Sequence, residues 1–569
     1  MKRLRDYIRP SLMAMIIGLV IKSLGAFIEL LLPEIMARII DEAVPDRDLE
    51  QVLILGVWML VCSLLALWFN VIANRNASST SRDITRRIRH DLFSHTLYLS
   101  CKKTDDYTIP SLDSRLTSDT YNVHQMLGMM QRMGIRAPII TLGGLTICFM
   151  MDAALALVFL GCIPFIAILI YIRGAKGIPL YTDVQRAVDD MSGVVRENVQ
   201  GIRVIKALSR TEYEKNRYQN VNDTLARRQV KAGLTMAIIQ PGMNLFLYLG
   251  MAGVILYGAY RVNAGLSTAG TILAFLSYFT LMSKSMMALS RMFIMFSKGM
   301  ASSRRIMEVL NTSTEQHWEK KDYPSSDPSF AIAFEDVSFS YLKVKDNLEH
   351  ITFHLKPGET LGIIGATGSG KSTILSLLLR FYDTDHGAIY IHGRDIRTMD
   401  PSILRRMFGV VMQNDFLFAG SIAENVQFGR SVNDEETEEA LSLAEASDFS
   451  KDMYRVLTSK GTNLSGGQRQ RVLLSRAFAA KPEFLLLDDS SSALDYKTDA
   501  RLRKTLGEQF PNTTKIIIAQ RVSSLQQCNT IIVLDHGRVS GIGTHEQLLQ
   551  NNKIYADIAA SQMGGALFE

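Results

Sequence analysis

The chain has 569 residues, of which 47% are hydrophobic and 21% charged, and its formal net charge is +6. This length exceeds that of one domain and predicts two to four. A mean hydropathy of +0.10 is high for a soluble enzyme, whereas the charged fraction is too large for a protein buried wholly in lipid. A membrane part joined to a soluble part fits both values. The modest charge, with no strongly basic tract, argues against nucleic acid as a partner.

Apolar runs in the first half are long enough to cross a membrane, because about 20 helical residues span the hydrocarbon core. We predict a transmembrane domain over residues 1–310 with spans at about 11–32, 51–73, 136–151, 153–172, 236–260 and 270–296. A tight turn at Asp152 separates the third span from the fourth. A cleavable signal peptide is the alternative for the first run, but the run is too long and continues without a small-residue cleavage site.

Positive charge is concentrated in two long segments, one between spans two and three and one between spans four and five. The excess of Lys and Arg places these segments in the cytoplasm and predicts that both termini are cytoplasmic, in a plasma (inner) membrane protein. Charged residues at helical spacing indicate arms that leave and return as helix, reaching about 35 Å beyond the membrane. The turns of the arms would lie near 107–114 and 199–207, and disordered loops are the alternative.

Ionisable side chains occur within the predicted spans. Lys22 and Glu29 lie seven residues apart in the first span, and Lys284 lies in the sixth. Ionisable groups at this depth face a cavity or pair with one another. Structural pairing and substrate contact both remain open for these residues. A polar segment with two prolines, 311–328, then predicts a linker to a second domain at 329–569.

The second domain contains a phosphate-binding motif, G-x-x-x-x-G-K-[ST], at 365–373. An apolar run before it reads as a buried strand and an apolar run after it as a helix, which is the context that the motif needs. The glycines allow backbone N–H groups and a helix N-terminus to face a phosphate chain. Lys371 can reach the terminal phosphates and the Ser372 hydroxyl can bind Mg²⁺. The candidate nucleotide ligands of this loop are Gly365, Thr367, Gly368, Ser369, Gly370, Lys371, Ser372 and Thr373.

Further motifs follow at the ends of predicted strands. An alternating run ends at Tyr341, whose ring could stack on a base, and a second strand ends at Gln413. The sequence Leu-Ser-Gly-Gly-Gln occupies 464–468. An apolar strand then ends at Asp488, a carboxylate suited to hold Mg²⁺ beside a phosphate loop. The last buried strand leads to Gln520.

The order and spacing of these motifs resemble those of ATP-binding cassette (ABC) transporters over the whole chain, specifically an exporter half with one nucleotide-binding domain. The implied fold class is a polytopic α-helical membrane domain of six long transmembrane helices followed by an α/β P-loop ABC ATPase domain. The resemblance implies that Tyr341 stacks on the adenine of ATP and that Asp495 lies at a dimer contact. Mg²⁺ would be held, partly through water, by Ser372, Gln413 and Asp488.

The resemblance also implies that two nucleotide-binding domains sandwich two ATP molecules. Each ATP would then contact the phosphate loop of one chain and the signature sequence of the other. The residues of this chain that would act on the ATP of the partner chain are Ser465, Gly466, Gly467 and Gln468. The tips of the two arms would be the coupling helices that touch the nucleotide-binding domains.

Two residues depart from the family pattern at the same chemical step. The family has Glu after the Walker B aspartate as general base, where this chain has Asp489, whose carboxylate lies one methylene closer to the backbone. The family has a switch His where this chain has Gln520, an amide that donates a hydrogen bond but carries no proton near pH 7. Loss of a general base alone lowers the rate by about 10²–10⁴. A less marked difference from the family pattern lies at 459–461, where this chain has Ser-Lys-Gly and exporters often have Glu-Arg-Gly.

These departures, beside an intact signature, predict one chain of a heterodimeric exporter of the bacterial multidrug type. Its own site would bind ATP and hydrolyse it poorly, and the partner would be a second half-transporter with the consensus Glu and His and a degraded signature. Membrane lipid and a small amphiphilic or lipophilic substrate are the other expected partners. The alternatives are an ATP-gated or regulatory subunit that does not pump, and a lipid or peptide exporter. The six spans exclude a soluble DNA-repair or translation ATPase.

Overall fold

The computed structural model describes residues 2–314 and 324–563. The chain divides into two compact units, one formed by Met1–Leu97 with Thr108–Thr312 and the other by Tyr98–Tyr107 with Ser313–Glu569. The first unit is helical. Its helices are α1 Leu4–Ile8, α2 Leu12–Arg38, α3 Leu49–Leu97, α5 Ile109–Ser114, α6 Thr120–Met133, α7 Arg136–Pro138, α8 Gly144–Met151, α9 Ala153–Gln200, α10 Ile202–Ala207, α11 Thr211–Ala237, α12 Ile239–Asn263 and α13 Ala269–Leu310. The short helix α4, Cys101–Tyr107, belongs to the second unit.

Five helical stretches of the described chain are long and apolar enough to cross a membrane. They are Leu4–Ala43, Leu49–Leu97, Ile109–Met151, Thr211–Asn263 and Ala269–Leu310. The predicted fourth span lies at the start of α9, where the apolar helix found among the described residues, Ala153–Cys162, is shorter. With 49 residues, α3 is about 74 Å long, well over the roughly 30 Å of hydrocarbon, so this helix must continue beyond the membrane.

Large apolar side chains cover the outside of the first unit, as expected for helices in lipid. On α3, Leu53, Trp58, Leu64 and Trp68 are all exposed. The interior is held by a cluster in which Phe275, Phe279 and Met282 of α13 are fully buried with residues of α2 and α12. The hydroxyl of the buried Tyr278 donates a hydrogen bond to the Leu30 carbonyl at 2.7 Å. A polar group on α13 is therefore satisfied by the backbone of α2.

Asp152 makes the turn between α8 and α9. It has extended backbone angles, and its Oδ1 accepts hydrogen bonds from the N–H groups of Ala154 and Leu155 at 3.0 and 3.2 Å. Its Oδ2 accepts from Nε of Arg261 at 2.9 Å. One carboxylate thus caps a helix and forms an ion pair with α12, which explains why the chain reverses here.

The ionisable residues of the first span have separate partners. Lys22 is buried and its Nζ donates to the side-chain oxygens of Asn70 and Asn74 at 2.7 and 3.1 Å. Glu29 forms a bidentate ion pair with Arg136, with a shortest distance of 2.6 Å. Lys22 and Glu29 therefore pair with neighbouring helices, and the structure supports the pairing interpretation for both.

The second unit contains two large sheets and a two-stranded ribbon. The four-stranded sheet has the order β2-β1-β4-β5 and is antiparallel, and the six-stranded sheet has the order β12-β11-β3-β10-β9-β6. In the second sheet all neighbours are parallel except β11 and β12. The strands are β1 Ile332–Phe339, β2 Leu348–Leu355, β3 Thr360–Gly365, β4 His386–Ile391, β5 Arg394–Asp395, β6 Phe408–Val411, β7 Gly420–Ser421, β8 Val456–Leu457, β9 Phe484–Asp488, β10 Thr514–Ile518, β11 Thr530–Asp535 and β12 Arg538–Gly543.

Helices flank these sheets, and the main core lies between the two sheets and α14. The helices are α14 Lys371–Leu378, α15 Pro401–Arg406, α16 Ile422–Gln427, α17 Asp434–Leu443, α18 Gly466–Phe478, α19 Tyr496–Glu508, α20 His545–Asn551 and α21 Lys553–Met563. The central strands are continuous apolar runs, as both faces of a parallel sheet are covered. A helical membrane unit followed by an α/β P-loop unit agrees with the fold class predicted from the sequence.

Candidate active site

The motifs meet where parallel strands end. The strands β3, β10 and β9 are adjacent, and their carboxyl ends carry the phosphate loop, Gln520 and Asp488. In open α/β sheets ligands bind in the crevice beyond these ends. A cavity of 230 Å³ lies there. It is lined by Asn347, Thr367, Gly368, Gly370, Lys371, Ser372, Thr373, Gln413, Asp488, Asp489, Ile518 and Gln520.

Glycines give the phosphate loop its shape. Gly368 and Gly370 have φ of +83° and +98°, a region that L side chains rarely adopt. A Cβ on Gly365 would lie 2.2 Å from the Leu534 carbonyl oxygen, so only glycine fits against β11. Ser369 is buried and, like Gly365, shapes the loop rather than lining the cavity. The loop therefore presents backbone at the start of α14, as anion binding requires.

Lys371 lies over the loop. Its Nζ donates to the carbonyls of Gly365 and Ala366 at 2.9 and 2.8 Å. Burial lowers the pKa of Lys371, and the neighbouring Asp488 and Asp489 oppose this shift. A partly desolvated ammonium group beside a loop of backbone N–H groups is suited to bind the terminal phosphates of a nucleotide.

Ser372 and Asp488 form the candidate magnesium site. The Ser372 hydroxyl donates to Oδ2 of Asp488 at 2.7 Å, and Asp488 is buried at the end of β9. Burial raises the pKa of Asp488, and the hydrogen bond from Ser372 lowers it. Gln413, two residues beyond β6, adds an amide oxygen to the same cavity. Hydroxyl, carboxylate and amide oxygens are the donors that Mg²⁺ prefers, so these residues fit the ion.

The two departing residues contact each other. Nε2 of Gln520 donates to Oδ2 of Asp489 at 3.2 Å, and both side chains line the cavity. Asp489 has φ of +51° and its N–H donates to the Ile518 carbonyl at 2.9 Å. Burial raises the pKa of Asp489, whereas Arg521 and Lys371 lower it. One oxygen of the carboxylate that should polarise water is therefore engaged by the switch-position amide.

Tyr341 lies at one side of this region, beyond the end of β1. Its N–H donates to Oδ1 of Asn347 at 3.0 Å, and its ring packs edge-on against Phe339 and Tyr382 with centroids 4.8 and 5.0 Å apart. The side chain is 40% exposed, which leaves ring surface open for stacking. The Tyr382 hydroxyl in turn donates to Oδ2 of Asp105 in α4 at 2.6 Å. The short helix α4 thus packs within the second unit.

The signature residues do not line the cavity in the described part of the chain. Ser465 caps α18, since its Oγ accepts from the Gln468 N–H at 3.2 Å and the Gln468 side chain accepts from the Ser465 N–H at 3.0 Å. A Cβ on Gly467 would lie 3.0 Å from the Ala493 carbonyl, and one on Gly466 would lie 3.3 Å from Cβ of Ala493. This chain therefore does not bring its own signature to its own phosphate loop.

Sequence reasoning missed three residues that shape the site. Asn347 and Ile518 line the cavity, and Gln470 of α18 donates to the Asp489 carbonyl at 3.2 Å while accepting from the Ala493 N–H at 2.9 Å. No motif marks Asn347, because an Asn before a strand is common in turns. Ile518 ends a buried strand, and its position two residues before Gln520 was the available signal.

Comparisons with known proteins agree with this geometry. Residues 15–286 match the ABC transporter transmembrane region family and residues 348–492 match the ABC transporter family. An uncharacterized ABC transporter ATP-binding protein of Mycobacterium tuberculosis is 30% identical over 567 residues, covering 98% of this chain and 97% of the relative. A second such protein, from Bacillus subtilis, is 31% identical over 571 residues and covers 99% of both chains.

Two further proteins extend the comparison. An ATP-dependent lipid A-core flippase of Nitrosococcus oceani is 29% identical over 565 residues, covering 98% of this chain and 94% of the relative. A solved structure of a bacterial Atm1-family ABC exporter with ATP bound superposes with a TM-score of 0.80 at 23% identity, covering 98% of each chain. The structural likeness shows a shared fold.

A multi-pass membrane unit joined to a P-loop ATPase unit defines a transporter that hydrolyses ATP. The chain belongs to the ABC transporter family and is an exporter subunit with one transmembrane region and one ABC ATPase domain. The predicted fold class and ATPase domain are thereby confirmed.

Proposed function

We propose that this chain is the degenerate-site half of a heterodimeric ABC exporter that moves amphiphilic or lipophilic substrates out of the cytoplasm. The observation that carries this proposal is the contact between Asp489 and Gln520. Both residues differ from the family pattern, and they occupy the two positions that act on the attacking water.

The chemistry of this pair favours binding over hydrolysis. Asp489 has the shorter side chain, and one of its oxygens accepts from Gln520 at 3.2 Å, which reduces its capacity to accept a proton from water. The Gln520 amide can donate to a phosphate oxygen but carries no positive charge. The loop, Lys371 and the Ser372–Asp488 pair are meanwhile suited to hold the phosphates of ATP and Mg²⁺. When bound, the ion would neutralise charge on the β- and γ-phosphates.

The signature supports a second, competent site. Ser465 and Gly467 have the family sequence and an ordered helix cap but do not line this chain's cavity. In our proposal they complete the site of a partner half-transporter that supplies the consensus Glu and His. ATP-driven closure of the two nucleotide-binding domains would open the membrane cavity outward, and product release would reset it. The protein would lie in the inner membrane with both termini in the cytoplasm.

Lipid flipping is the second candidate within transport. The flippase of Nitrosococcus oceani is similar to nearly the full length of the chain. The many exposed apolar side chains of the membrane unit suit a lipophilic cargo of either kind. Substrate-stimulated ATPase activity measured with drug-like amphiphiles and with lipids distinguishes the two.

ATPase activity of the chain alone and of the pair tests the proposal. The full-length chain is purified alone and together with a half-transporter encoded beside it, each in lipid nanodiscs. We expect turnover by the pair to exceed that of the single chain by about 10² or more, the factor that a lost general base predicts. Rapid ATP turnover by the chain alone, at the rate of the pair, would refute the degenerate-site proposal.

A further inference from the structure

Gln562, in the last turn of α21, binds the backbone on both sides of Arg521. Its Oε1 accepts from the Val522 N–H at 2.8 Å, and its Nε2 donates to the Gln520 carbonyl at 2.7 Å. One side-chain amide thus satisfies two backbone groups that flank a single residue. The carbonyl that it binds belongs to the residue at the switch position.

Packing of α21 places this amide. Tyr555 and Ala559 are fully buried in a cluster with Val522, Leu525 and Cys528. The Tyr555 hydroxyl and Nδ1 of His545 are 2.7 Å apart, so the helix is also tied to α20. Gln562 itself is exposed. A substitution at Gln562 therefore removes the two hydrogen bonds without opening the core that holds the helix.

The segment that Gln562 binds borders open space on the side where Gln562 lies. A cavity of 720 Å³ lies beside it, and Asp489, Gln520 and Gln562 are among the residues that line this cavity. Arg521 has its guanidinium 5.8 Å from the Tyr496 ring centroid and 3.4 Å from the Ser492 carbonyl, which is a long hydrogen bond. The hydrogen bonds of Gln562 are shorter and therefore fix the backbone at 520 more firmly.

We propose that Gln562 is a positioning residue that holds Gln520 against Asp489 and thereby sets how long this site retains ATP. The proposal rests on the function proposed above. A backbone shift at 520 moves the Gln520 amide relative to Asp489, which lies 3.2 Å away, and relative to any phosphate in the adjoining cavity. The packing of α21 against the core would then control how long ATP stays in the site, because it positions the Gln562 side chain.

The test measures release of radiolabelled ATP from the full-length chain in nanodiscs with Mg²⁺. For Gln562→Ala we expect release to be roughly threefold to tenfold faster, the factor that corresponds to the loss of about one hydrogen bond. Gln562→Glu keeps the acceptor for the Val522 N–H but sets a carboxylate oxygen against the Gln520 carbonyl, which repels it, so its release should be at least as fast as that of Gln562→Ala. Ser561→Ala, an exposed neighbour on the same helix, should release ATP at the wild-type rate.

A double-mutant cycle separates positioning from a general structural role. If Gln562 acts through Gln520, adding Gln562→Ala to Gln520→Ala should have no further effect on release. Additive effects of the two substitutions, or unchanged release in Gln562→Ala, would overturn the proposal. If the wild type instead hydrolyses ATP rapidly, the function proposed above fails. The same double-mutant cycle is then measured with kcat in place of ATP release. Gln562→Ala should lower kcat and leave KM unchanged, and it should have no effect on kcat in the Gln520→Ala background.

Discussion

Single residues of the candidate site divide into groups suited to bind nucleotide and two that depart from the family pattern for hydrolysis. The residues suited to bind phosphate and Mg²⁺ match the family motif, and hydrogen bonds hold them in place. The Ser372 hydroxyl, for example, donates to buried Asp488 at 2.7 Å. The hydrolytic positions hold Asp489 and Gln520, which contact each other. Asp489 also has a left-handed backbone conformation, at φ +51°, a cost of the order of 1 kcal/mol that neighbouring hydrogen bonds must offset.

Asp489→Glu should raise ATP turnover by the chain alone. The added methylene extends the carboxylate toward the cavity that Asp489 already lines. We expect an increase of about tenfold or more, within the range of general-base catalysis, measured as steady-state phosphate release. Asp489→Asn is the matched control and should lower any residual turnover. Unchanged turnover in Asp489→Glu would place the limiting defect at Gln520 or at the signature that faces this site.

At the scale of elements, caps and strand ends decide where functional groups lie. Parallel pairing of β3, β10 and β9 brings Lys371, Gln520 and Asp488 to one edge of the sheet. In the membrane unit, the Asp152 carboxylate starts α9 and pairs with Arg261 of α12. The side chain of Asp152 is only 2% exposed, so solvent and salt screen this ion pair less than a surface one.

Substitutions of Asp152 should destabilise the membrane unit in a graded way. Asp152→Asn keeps a capping oxygen and loses the charge beside Arg261, which should cost about 1–3 kcal/mol. Asp152→Ala also loses the cap, which adds about 1 kcal/mol. The melting temperature measured in detergent should therefore be highest for the wild type, lower for Asp152→Asn and lowest for Asp152→Ala. Equal melting temperatures for Asn and Ala would show that capping contributes nothing at this turn.

In the proposed dimer, the whole chain would contribute parts to two different active sites. Its phosphate loop and Asp488 form a cavity that its own signature does not line. The signature helix is nevertheless connected to the Walker B region, because Gln470 of α18 donates to the Asp489 carbonyl at 3.2 Å. This arrangement suits a dimer in which each chain serves the nucleotide of the other.

Ser465→Asp should abolish most ATPase activity of the pair without changing ATP retention at this chain's own site. Asp caps a helix as well as Ser does, so α18 remains intact, but its negative charge would repel the phosphates that the signature faces. We expect turnover to fall by about 10²-fold or more, comparable to the loss of a key phosphate contact. Ser465→Asn keeps the cap without the charge and should be milder. Faster ATP release from this chain's own site would contradict the assignment of the signature to the partner.

The features of this protein that depend on local pattern could be predicted from the amino-acid sequence. The motif at 365–373 requires a strand, a glycine turn and a helix, and the structure has β3, two glycines of positive φ and α14. Long apolar runs predicted the membrane helices, and the Asp152 turn was visible because a lone carboxylate interrupts apolar sequence. The identities of Asp489 and Gln520 were also evident, since each follows a recognisable strand.

Contacts between residues far apart in the chain could not be predicted from the sequence and became visible in the folded structure. Lys22 and Glu29 share a helix face in sequence but bind Asn70 and Arg136, because neighbouring helices offered better placed partners. Asn347 lines the cavity although no sequence motif marks it. The bonds of Gln562 to the segment at 520–522 depend on how α21 packs, and no periodicity encodes the meeting of a helix end with a loop forty residues away. Local pattern fixes the type of each element, whereas the hydrogen bonds between elements exist only once the elements have packed.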